Sequence, residues 1–486
     1  MPTALLWLRN DLRLHDHAAL ASAMDAAGPD GHLLATYILD PRQLELTEWG
    51  VRKTESYQLA FRLESLRDLR DQMRARGGDL IVRTGLPETV LPELARSAGV
   101  RSLHLSEEPM REEADVEQAV RDALPGLPLH TAWTHTLVAL ADLPFSVEDL
   151  PDVFTTFRKA VETRPEADRY LPPQPAPDAL PPPPDGIDPG EIPTVEALGL
   201  TPRQPDTRTG LVFRGGETEG LTRLHAYLWD LDRLRTYKET RNGMLDPNDS
   251  SKLSPWLSHG CLSPRRVQAE IVRYEAEREK NRSTYWLTFE LLWRDFFRLY
   301  GLKHGDRLFW LSGPKGVSGV SRQLDPALFA AWREGRTGLP LVDASMRELN
   351  ATGFMSNRGR QNAASFWVKH LGQDWRAGAA VYESLLIDYD VTSNWGNWAY
   401  VAGVGSDPRN RYFDVELQAK KYDREAAFIR HWLPELANLP SELAREPYRM
   451  TDAEQARTGV RIGDDYPAPI IDYERVTDQL RARSRS

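Results

Sequence analysis

The run DYDVTSNWGNWAYVAGVG, residues 388–405, holds two closely spaced carboxylates. These are Asp388 and Asp390, and burying them together is costly unless each has a charged or hydrogen-bonding partner. Arg358 and Arg360, in the earlier run GFMSNRGRQ, are candidate partners. Together these residues predict a buried polar nest.

Indole side chains accompany this polar nest. Trp375, Trp395 and Trp398 lie within the same run or shortly before it, among the 14 tryptophans of the chain. Neighbouring indole rings are suited to electron hopping, and they are equally suited to filling a large core. The sequence alone leaves both interpretations open.

An acid, an indole and a guanidinium share one face of a predicted helix in the run YWLTFELLWRDFFR, residues 285–298. Three- and four-residue spacing brings Glu290, Trp293 and Arg294 onto that face. Such a face could line a pocket for a flat ligand, or it could be a salt bridge beside a core tryptophan.

Hydroxyl groups cluster ahead of a helical turn in the run SSKLS, residues 250–254. Hydroxyls and backbone N–H groups at a helix start bind phosphate or pyrophosphate. A cluster of helix-capping serines is the commoner reason for such a run. The run therefore supports a diphosphate site only together with other motifs.

Composition restricts the compartment and the class of protein. The chain has 486 residues, a net charge of −10 and a single cysteine, Cys261. One cysteine excludes an intrachain disulfide and a cysteine-based zinc site, which fits a reducing cytosol. Neither a signal peptide nor a run of ~18 apolar residues is present, so we expect a cytoplasmic protein without a membrane span. The negative charge argues against a surface coated for nucleic acid but leaves room for a local basic pocket.

Short apolar runs alternate with helical patterns over residues 1–132. Leucines recurring at three and four residues predict a helix over 57–76. Strand–helix alternation predicts a parallel, Rossmann-like sheet covered by helices, which makes this an α/β domain. No G-x-G-x-x-G follows the first strand, so the main cofactor need not bind here. The strands are expected at residues 4–9, 33–39, 80–83 and 102–105.

Proline density over residues 165–205 forbids regular structure and predicts a long Pro-rich connector. Helical spacing dominates from about residue 210 onward, which predicts a second, mostly α-helical domain. The expected division is an α/β domain at 1–132, a connector at 133–207, a helical domain at 208–440 and a loosely attached tail at 441–486. Helices of the second domain are expected at residues 269–281, 285–301, 342–351, 361–371 and 377–386.

Several runs resemble the photolyase/cryptochrome family. SSKLSPWLSHGCLSPR, FELLWRDFFR, SNRGRQNAAS and LIDYDVTSNWGNWAY are similar to the flavin-binding half of those proteins. RNDLRLHDHAAL and LPDVFTTFRK resemble the cryptochrome-DASH branch specifically. The similar runs follow the family order and extend over nearly the whole chain.

The resemblance implies that the helical domain binds FAD. The serine-rich loop matches the diphosphate positions, and Arg360 with Asp388 matches a salt bridge beside the flavin ring. Asn394 matches the residue that faces flavin N5, where an amide helps to decide which protonation and redox state persists. The implied cofactor-binding residues are Tyr237, Ser250, Ser251, Lys252, Leu253, Ser254, Arg294, Asn357, Arg360, Asp388, Asp390 and Asn394.

The implied reaction is that of a deoxyribodipyrimidine photo-lyase: blue light drives an electron from reduced FAD to a cyclobutane pyrimidine dimer in DNA, and the ring splits. Glu290 matches the acid that hydrogen-bonds to the dimer, and Trp293 matches the indole that stacks on it. The implied catalytic residues are Glu290, Asn394, Trp398 and Trp375. The implied substrate-binding residues are Arg241, Glu290, Trp293, Asn357, Arg358, Gln361 and Tyr400.

Three positions depart from the pattern of duplex-repairing photolyases. Tyr400 replaces a second Trp and Gln361 replaces a Met, so less apolar stacking compensates for flipping the dimer out of its helix, which favours single-stranded DNA. Arg322 replaces the outermost Trp of the three-Trp electron relay, for which Trp310, Trp332 or a tyrosine are candidate substitutes.

Relatives also hold an antenna chromophore, often 5,10-methenyltetrahydrofolate, in the amino-terminal domain. Glu112 and Glu113 fall near the acidic position that such folates use, although a solvated helix face is the more usual explanation for two glutamates at a helix start. The expected assembly is a monomer that binds FAD and damaged DNA, with a folate as an optional second cofactor and with no metal.

Three other functions stay open from sequence. The flavin pocket could serve a blue-light receptor with little repair, or a flavin- and nucleic-acid-binding protein without light chemistry. A photolyase for 6–4 photoproducts would need two pocket histidines, and the candidates His259 and His370 lie in segments with no matching motif.

Overall fold

The computed structural model describes residues 1–166, 169–407, 409 and 411–485. Its amino-terminal part is a five-stranded sheet in the order β3-β2-β1-β4-β5, and every neighbouring pair of strands is parallel. The predicted α/β class is confirmed. The last strand was not predicted, because it is short and partly exposed. The strands are β1 Thr3–Leu8, β2 His32–Leu39, β3 Leu80–Thr84, β4 Val100–Ser106 and β5 Leu129–Ala132.

Four helices cover both faces of this sheet, which is why β1 is buried along its whole length. The second helix follows the predicted leucine period and buries Leu59, Leu63 and Leu66. Leu5 and Trp7 of β1 point to the other face, into a separate apolar cluster with the third and fourth helices. The helices are α1 Ala18–Ala27, α2 Ser56–Arg74, α3 Pro87–Ser97 and α4 Arg111–Ala123.

The segment after the sheet contains one α-helix, α5 Phe154–Val161. Between Val161 and Glu217 no further α-helix or strand occurs in the described residues, as the proline density predicts. The segment is nevertheless held by backbone hydrogen bonds. Leu33 N donates to Pro182 O at 3.1 Å and Val82 N donates to Pro189 O at 2.8 Å. The connector therefore lies along β2 and β3.

The carboxyl-terminal part is helical, as predicted. Its longest helix, α10, has 23 residues and begins at a capping box formed by Asn281 and Thr284. No helix among the described residues is long and apolar enough to span a membrane. The helices are α6 Glu217–His225, α7 Tyr237–Thr240, α8 Ser254–Ser258, α9 Pro264–Glu277, α10 Arg282–His304, α11 Pro326–Arg333, α12 Pro340–Thr352, α13 Asn357–Ser365, α14 Trp375–Leu385, α15 Val391–Ala402, α16 Val415–Tyr422, α17 Ala427–Trp432, α18 Ser441–Arg445, α19 Asp452–Thr458 and α20 Tyr473–Arg485.

Residues after 440 pack against the helical part, so the expectation of a loosely attached tail is wrong. Tyr466 is fully buried, and its hydroxyl donates to Asp343 Oδ2 at 2.6 Å. Tyr473 is buried as well, and its hydroxyl accepts from the Val415 backbone N–H at 2.9 Å. The mixed charge of this segment concealed these two aromatic anchors.

Candidate active site

Helix α15 begins at Asp390, which caps it. Asp390 Oδ1 accepts from the Ser393 backbone N–H and from the Thr392 hydroxyl, both at 2.8 Å, and Oδ2 accepts from Arg298 at 2.8 Å. Burial alone would raise the pKa of Asp390, but the Arg298 cation outweighs it and holds that pKa well below its ordinary range. Arg298 also pairs with Glu108 of the α/β part at 3.2 Å. Arg298 and Glu108 were not among the predicted site residues.

Asn394 and Trp398 lie one turn apart on α15 and therefore share a face. The Asn394 side-chain nitrogen donates to Ala379 O at 3.0 Å, which fixes the amide and leaves its oxygen free of that bond. Trp398 is buried against Gly378, where an added Cβ would lie 2.3 Å from the indole. Only glycine fits at that position of α14.

Arg360 and Asp388 form the predicted ion pair at 2.8 Å. The second carboxylate oxygen, Asp388 Oδ1, is buried and has no hydrogen-bond partner in the described part of the chain. Arg358 does not pair with either aspartate as expected; it donates to Asn242 Oδ1 and to Gln361 Oε1, both at 2.9 Å. The nest thus retains one carboxylate oxygen for a ligand.

The serine-rich loop at 250–254 is held from behind by Arg223 of α6, which sequence reasoning missed. Arg223 donates to Ser251 O at 3.0 Å and to Ser250 O at 3.4 Å. Lys252 adopts a left-handed conformation with φ 52°, unusual for a residue with a side chain. Leu253 is buried, and Ser254 begins α8.

The Lys252 ammonium lies 5.2 Å from the Phe354 ring and forms no ion pair within 4.0 Å in the residues described. The buried acid that faces it is Glu348: burial raises the pKa of Glu348 and lowers that of Lys252, and the attraction between the two groups opposes both shifts. Tyr237 is buried nearby, and burial raises the pKa of its phenol. A buried amine without an ion pair within 4.0 Å in the described residues, next to hydroxyl groups, fits the diphosphate of a dinucleotide.

On α10, Glu290 lies 2.7 Å from Arg241 and keeps 29% of its side chain exposed. Burial raises the pKa of Glu290 above its ordinary value, against the opposing effect of Arg241. Arg294 is turned away from this acid and donates to the backbone oxygens of Leu257, at 3.1 Å, and His135. The residues of the predicted face therefore have different roles: Glu290 is partly exposed, whereas Arg294 points inward and binds backbone oxygens.

Trp293 is held by aromatic neighbours. Phe154 of α5 stacks on it with a centroid distance of 3.7 Å and an interplanar angle of 11°. Tyr400 meets it edge-on at 6.3 Å. Phe154 was not predicted to belong to the site, since the resemblance marked its motif only as typical of a branch.

The polar residues around Glu290 are fixed by arginines. Arg358 faces both Arg241 and Glu290, while it also holds the amide of Gln361. The Tyr400 hydroxyl accepts from Arg411, which pairs with Asp407 at 3.1 Å. Asn357 is exposed at the start of α13. The structure thus links six of the predicted substrate residues through neighbouring contacts, namely Arg241, Glu290, Trp293, Arg358, Gln361 and Tyr400.

The two histidines considered for 6–4 chemistry are core residues. His259 is buried with Nε2 at 3.0 Å from Ile387 O, and burial lowers its pKa to about 3. His370 is buried and stacks on Tyr473 at 5.2 Å.

The two glutamates of α4 differ. Glu112 is 70% exposed and pairs with Lys53 at 2.7 Å, as a solvated residue would. Glu113 has a buried carboxyl oxygen with no hydrogen-bond partner in the described chain, and burial together with the charge of Glu108 raises its pKa to about 7.

Comparison with known proteins agrees with this geometry. Residues 286–486 match the model for the FAD binding domain of DNA photolyase, and residues 4–181 match the model for DNA photolyase. The chain is 50% identical to a cryptochrome DASH of Gloeobacter violaceus, over 97% of this chain and 93% of that protein. The chain belongs to the photolyase/cryptochrome family.

Within this family it groups with the cryptochrome-DASH branch. A cryptochrome DASH of Synechocystis is 46% identical over 99% of this chain and 97% of that protein. The crystal structure of a Synechocystis cryptochrome matches with a TM-score of 0.94 and 46% identity over 99% of both chains. A class III photolyase from Agrobacterium tumefaciens matches at a TM-score of 0.84 and 27% identity, over 99% of this chain and 97% of that one. The cofactor of this family member is FAD, which the Asp388 oxygen without a partner in the described chain and the buried Lys252 fit.

Proposed function

We propose that the protein is a light-dependent lyase that splits cyclobutane pyrimidine dimers in DNA and acts best on single strands. The observation that carries the proposal is the acid at the opening. Glu290 is partly exposed, has a raised pKa and lies next to Trp293 and Arg241. A purely structural ion pair would not need an acid with a raised pKa beside an indole in a partly exposed position.

Glu290 acts as a hydrogen-bond donor in this proposal. In its protonated form it donates to a pyrimidine carbonyl, where negative charge develops once the dimer has taken up an electron. Arg241, at 2.7 Å, is placed to stabilise the same charge. Trp293, held rigid by Phe154, offers an apolar surface on which the dimer stacks in place of its neighbouring bases.

FAD, when bound and reduced, supplies the light-driven electron. Asp388, whose orientation Arg360 fixes, would accept from a ring N–H with its Oδ1. Lys252 and the hydroxyls of the 250–254 loop would hold the diphosphate. The fixed amide of Asn394 would supply an oxygen acceptor to the ring, and the buried Asp390–Arg298 pair keeps the start of its helix in place.

Single strands are favoured because the wall opposite Trp293 is polar. Tyr400 and Gln361 are each tied to an arginine, so neither provides the broad apolar surface that a second indole or a methionine would. A dimer in duplex DNA must also be unpaired before it can enter, at a cost of a few kcal/mol. With less stacking to offset that cost, the unpaired strand binds better.

We also propose a folate antenna next to Glu113. Its unpartnered, buried carboxyl oxygen is an acceptor for a pterin N–H group, and no other described residue satisfies it. Extraction of the purified protein and fluorescence analysis of the released chromophore tests this assignment.

Illumination of the chemically reduced protein with thymine-dimer oligonucleotides tests the main proposal. We expect dimer loss from single strands, slower loss from duplexes, and none in the dark. Absence of dimer loss from either substrate contradicts repair and favours a blue-light receptor.

Two carboxamide variants make the test specific. Glu290→Gln should lower the repair rate by about 10²-fold while FAD stays bound, the size expected for losing an acid that acts on developing charge. Glu277→Gln, at a 52% exposed carboxylate on α9, is the matched control and should repair normally. Loss of FAD from Glu290→Gln would reassign Glu290 to cofactor binding.

A further inference from the structure

A row of three indoles runs from the buried core to the surface. Trp375 meets Trp395 with a centroid distance of 5.7 Å and an angle of 75°. Trp395 meets Trp49 at 6.5 Å and 45°. Trp375 is fully buried, whereas Trp49 lies between β2 and α2 and is partly exposed. These centroid distances lie within the range of interacting aromatic pairs, and indoles so close together are suited to electron hopping.

The other row of indoles beside Trp398 stays buried in the part of the chain that the structure describes. Trp398 contacts Trp332 at 6.2 Å, and Trp332 contacts Trp367 at 5.0 Å, but both of these neighbours are fully buried. Trp310 is 52% exposed, yet in the described residues its ring contact is with the Arg307 guanidinium rather than with an aromatic ring. Arg322, which replaces the outermost indole of the usual relay, is itself exposed. The 375–395–49 row therefore differs from the others in ending at the surface.

The surroundings of the middle ring suit the loss of an electron. Trp395 Nε1 donates to Glu383 Oε2 at 3.2 Å, so the N–H proton that becomes acidic in an oxidised indole has an acceptor. Arg376 lies 6.0 Å from the Trp49 ring, and its positive charge is balanced by Asp374 at 2.7 Å.

We propose that Trp395 and Trp49 carry electrons from the protein surface to Trp375 and Trp398, in place of the exit that Arg322 interrupts. With FAD bound and illuminated, Trp398 would donate one electron to it, and Trp375 would return one electron to Trp398, as the family resemblance implies for these two indoles. Trp395 then reduces the oxidised Trp375, and Trp49 in turn reduces the oxidised Trp395. A thiol in solution reduces Trp49 by one electron and releases a proton. This inference depends on the light-driven flavin chemistry proposed above, but not on dimer repair.

Photoreduction without DNA tests the row. The full-length, FAD-loaded, oxidised protein is illuminated with blue light in the presence of dithiothreitol, and flavin bleaching is followed together with transient absorption of oxidised tryptophan. Trp395→Phe and Trp49→Phe should each slow bleaching by about tenfold or more and remove the long-lived indole signal. Trp310→Phe should match the wild type. Repair by chemically reduced wild type reports on the proposed function separately.

Each outcome either supports or overturns the proposed electron path. Unchanged bleaching in Trp395→Phe, or in Trp49→Phe, overturns the row, as does a tenfold loss in Trp310→Phe. Should Trp395→Phe fail to fold or to bind FAD, Trp49→Phe decides alone, because Trp49 is partly exposed and its replacement leaves the core intact.

Discussion

Replacement of Arg298 by methionine should destabilise the protein strongly at neutral pH. Arg298 is 2% exposed and lies between Asp390, at 2.8 Å, and Glu108, at 3.2 Å. Removing the cation leaves two buried carboxyl groups without their shared partner. Breaking a buried pair in this way costs about 3–5 kcal/mol. Asp390 also caps α15, so FAD should dissociate from the variant more readily.

The pH dependence of this loss identifies its cause. In the wild type the pKa of Asp390 is depressed, so its contribution to stability is present above the ordinary aspartate pKa and is lost only as pH falls through the depressed value. Without Arg298, burial of Asp390 is opposed only by the smaller effects of Arg294 and of the hydrogen bonds from Ser393 and Thr392, so the pKa of Asp390 rises. The variant should therefore regain stability as pH falls, and its difference from wild type should be largest at pH 7–8 and smaller near pH ~5.

Urea unfolding followed by circular dichroism at several pH values measures the effect. Arg449→Met is the matched control, because Arg449 also lies between carboxylates, Glu416 at 3.0 Å and Glu474 at 3.1 Å, but is 43% exposed. It should cost about 0–1 kcal/mol and should depend on salt. An equal loss in both variants, or a pH-independent loss in Arg298→Met, would refute the electrostatic explanation.

Three further variants test the site. Phe154→Leu removes the ring that stacks on Trp293, an interaction of about 0.5–1.5 kcal/mol. We expect a higher KM for dimers and a changed Trp293 fluorescence, whereas an unchanged KM would mean that Phe154 has only a structural role. Asp388→Asn should weaken FAD binding by about tenfold, or 1.4 kcal/mol, by flavin-release titration, since the amide cannot both accept from Arg360 and accept from the ring. Tyr400→Trp should raise duplex repair relative to single-strand repair by about fivefold, from roughly 1 kcal/mol of added stacking; an unchanged ratio would place strand preference elsewhere.

The periodic features of the fold were predictable from sequence. The spacing of leucines along α2 and of polar and aromatic residues along α10 both reflect a helix with one buried side. Residue spacing in the sequence predicts such one-sided burial directly. Strand β5 escaped because its side chains are mostly not buried, so no apolar run marks it. The packing of the segment around Tyr466 was not predicted, because a single buried aromatic residue produces no periodic pattern in the sequence.

The partners within the site were harder to predict than its members. Spacing indicates which face a residue occupies but not which distant side chain meets it. Arg360 was correctly paired with Asp388, whereas Asp390 found Arg298 on α10 rather than Arg358 on α13. Nothing in the sequence favoured either arginine as the partner of Asp390, and only the packing of α10 against α15 distinguishes them.

The site is therefore completed by segments outside the helical part. Glu108, at the end of β4, neutralises one side of Arg298, and Phe154, on α5, covers one face of Trp293. Trp49, from the loop after β2, reaches Trp395 on α15. Each of these residues comes from a different segment of the first 160 residues, and each touches a helix that carries predicted site residues. A helical part without those segments would retain the residues proposed to hold FAD, but Arg298 would lose its second carboxylate partner and Trp293 would lose the ring that stacks on it.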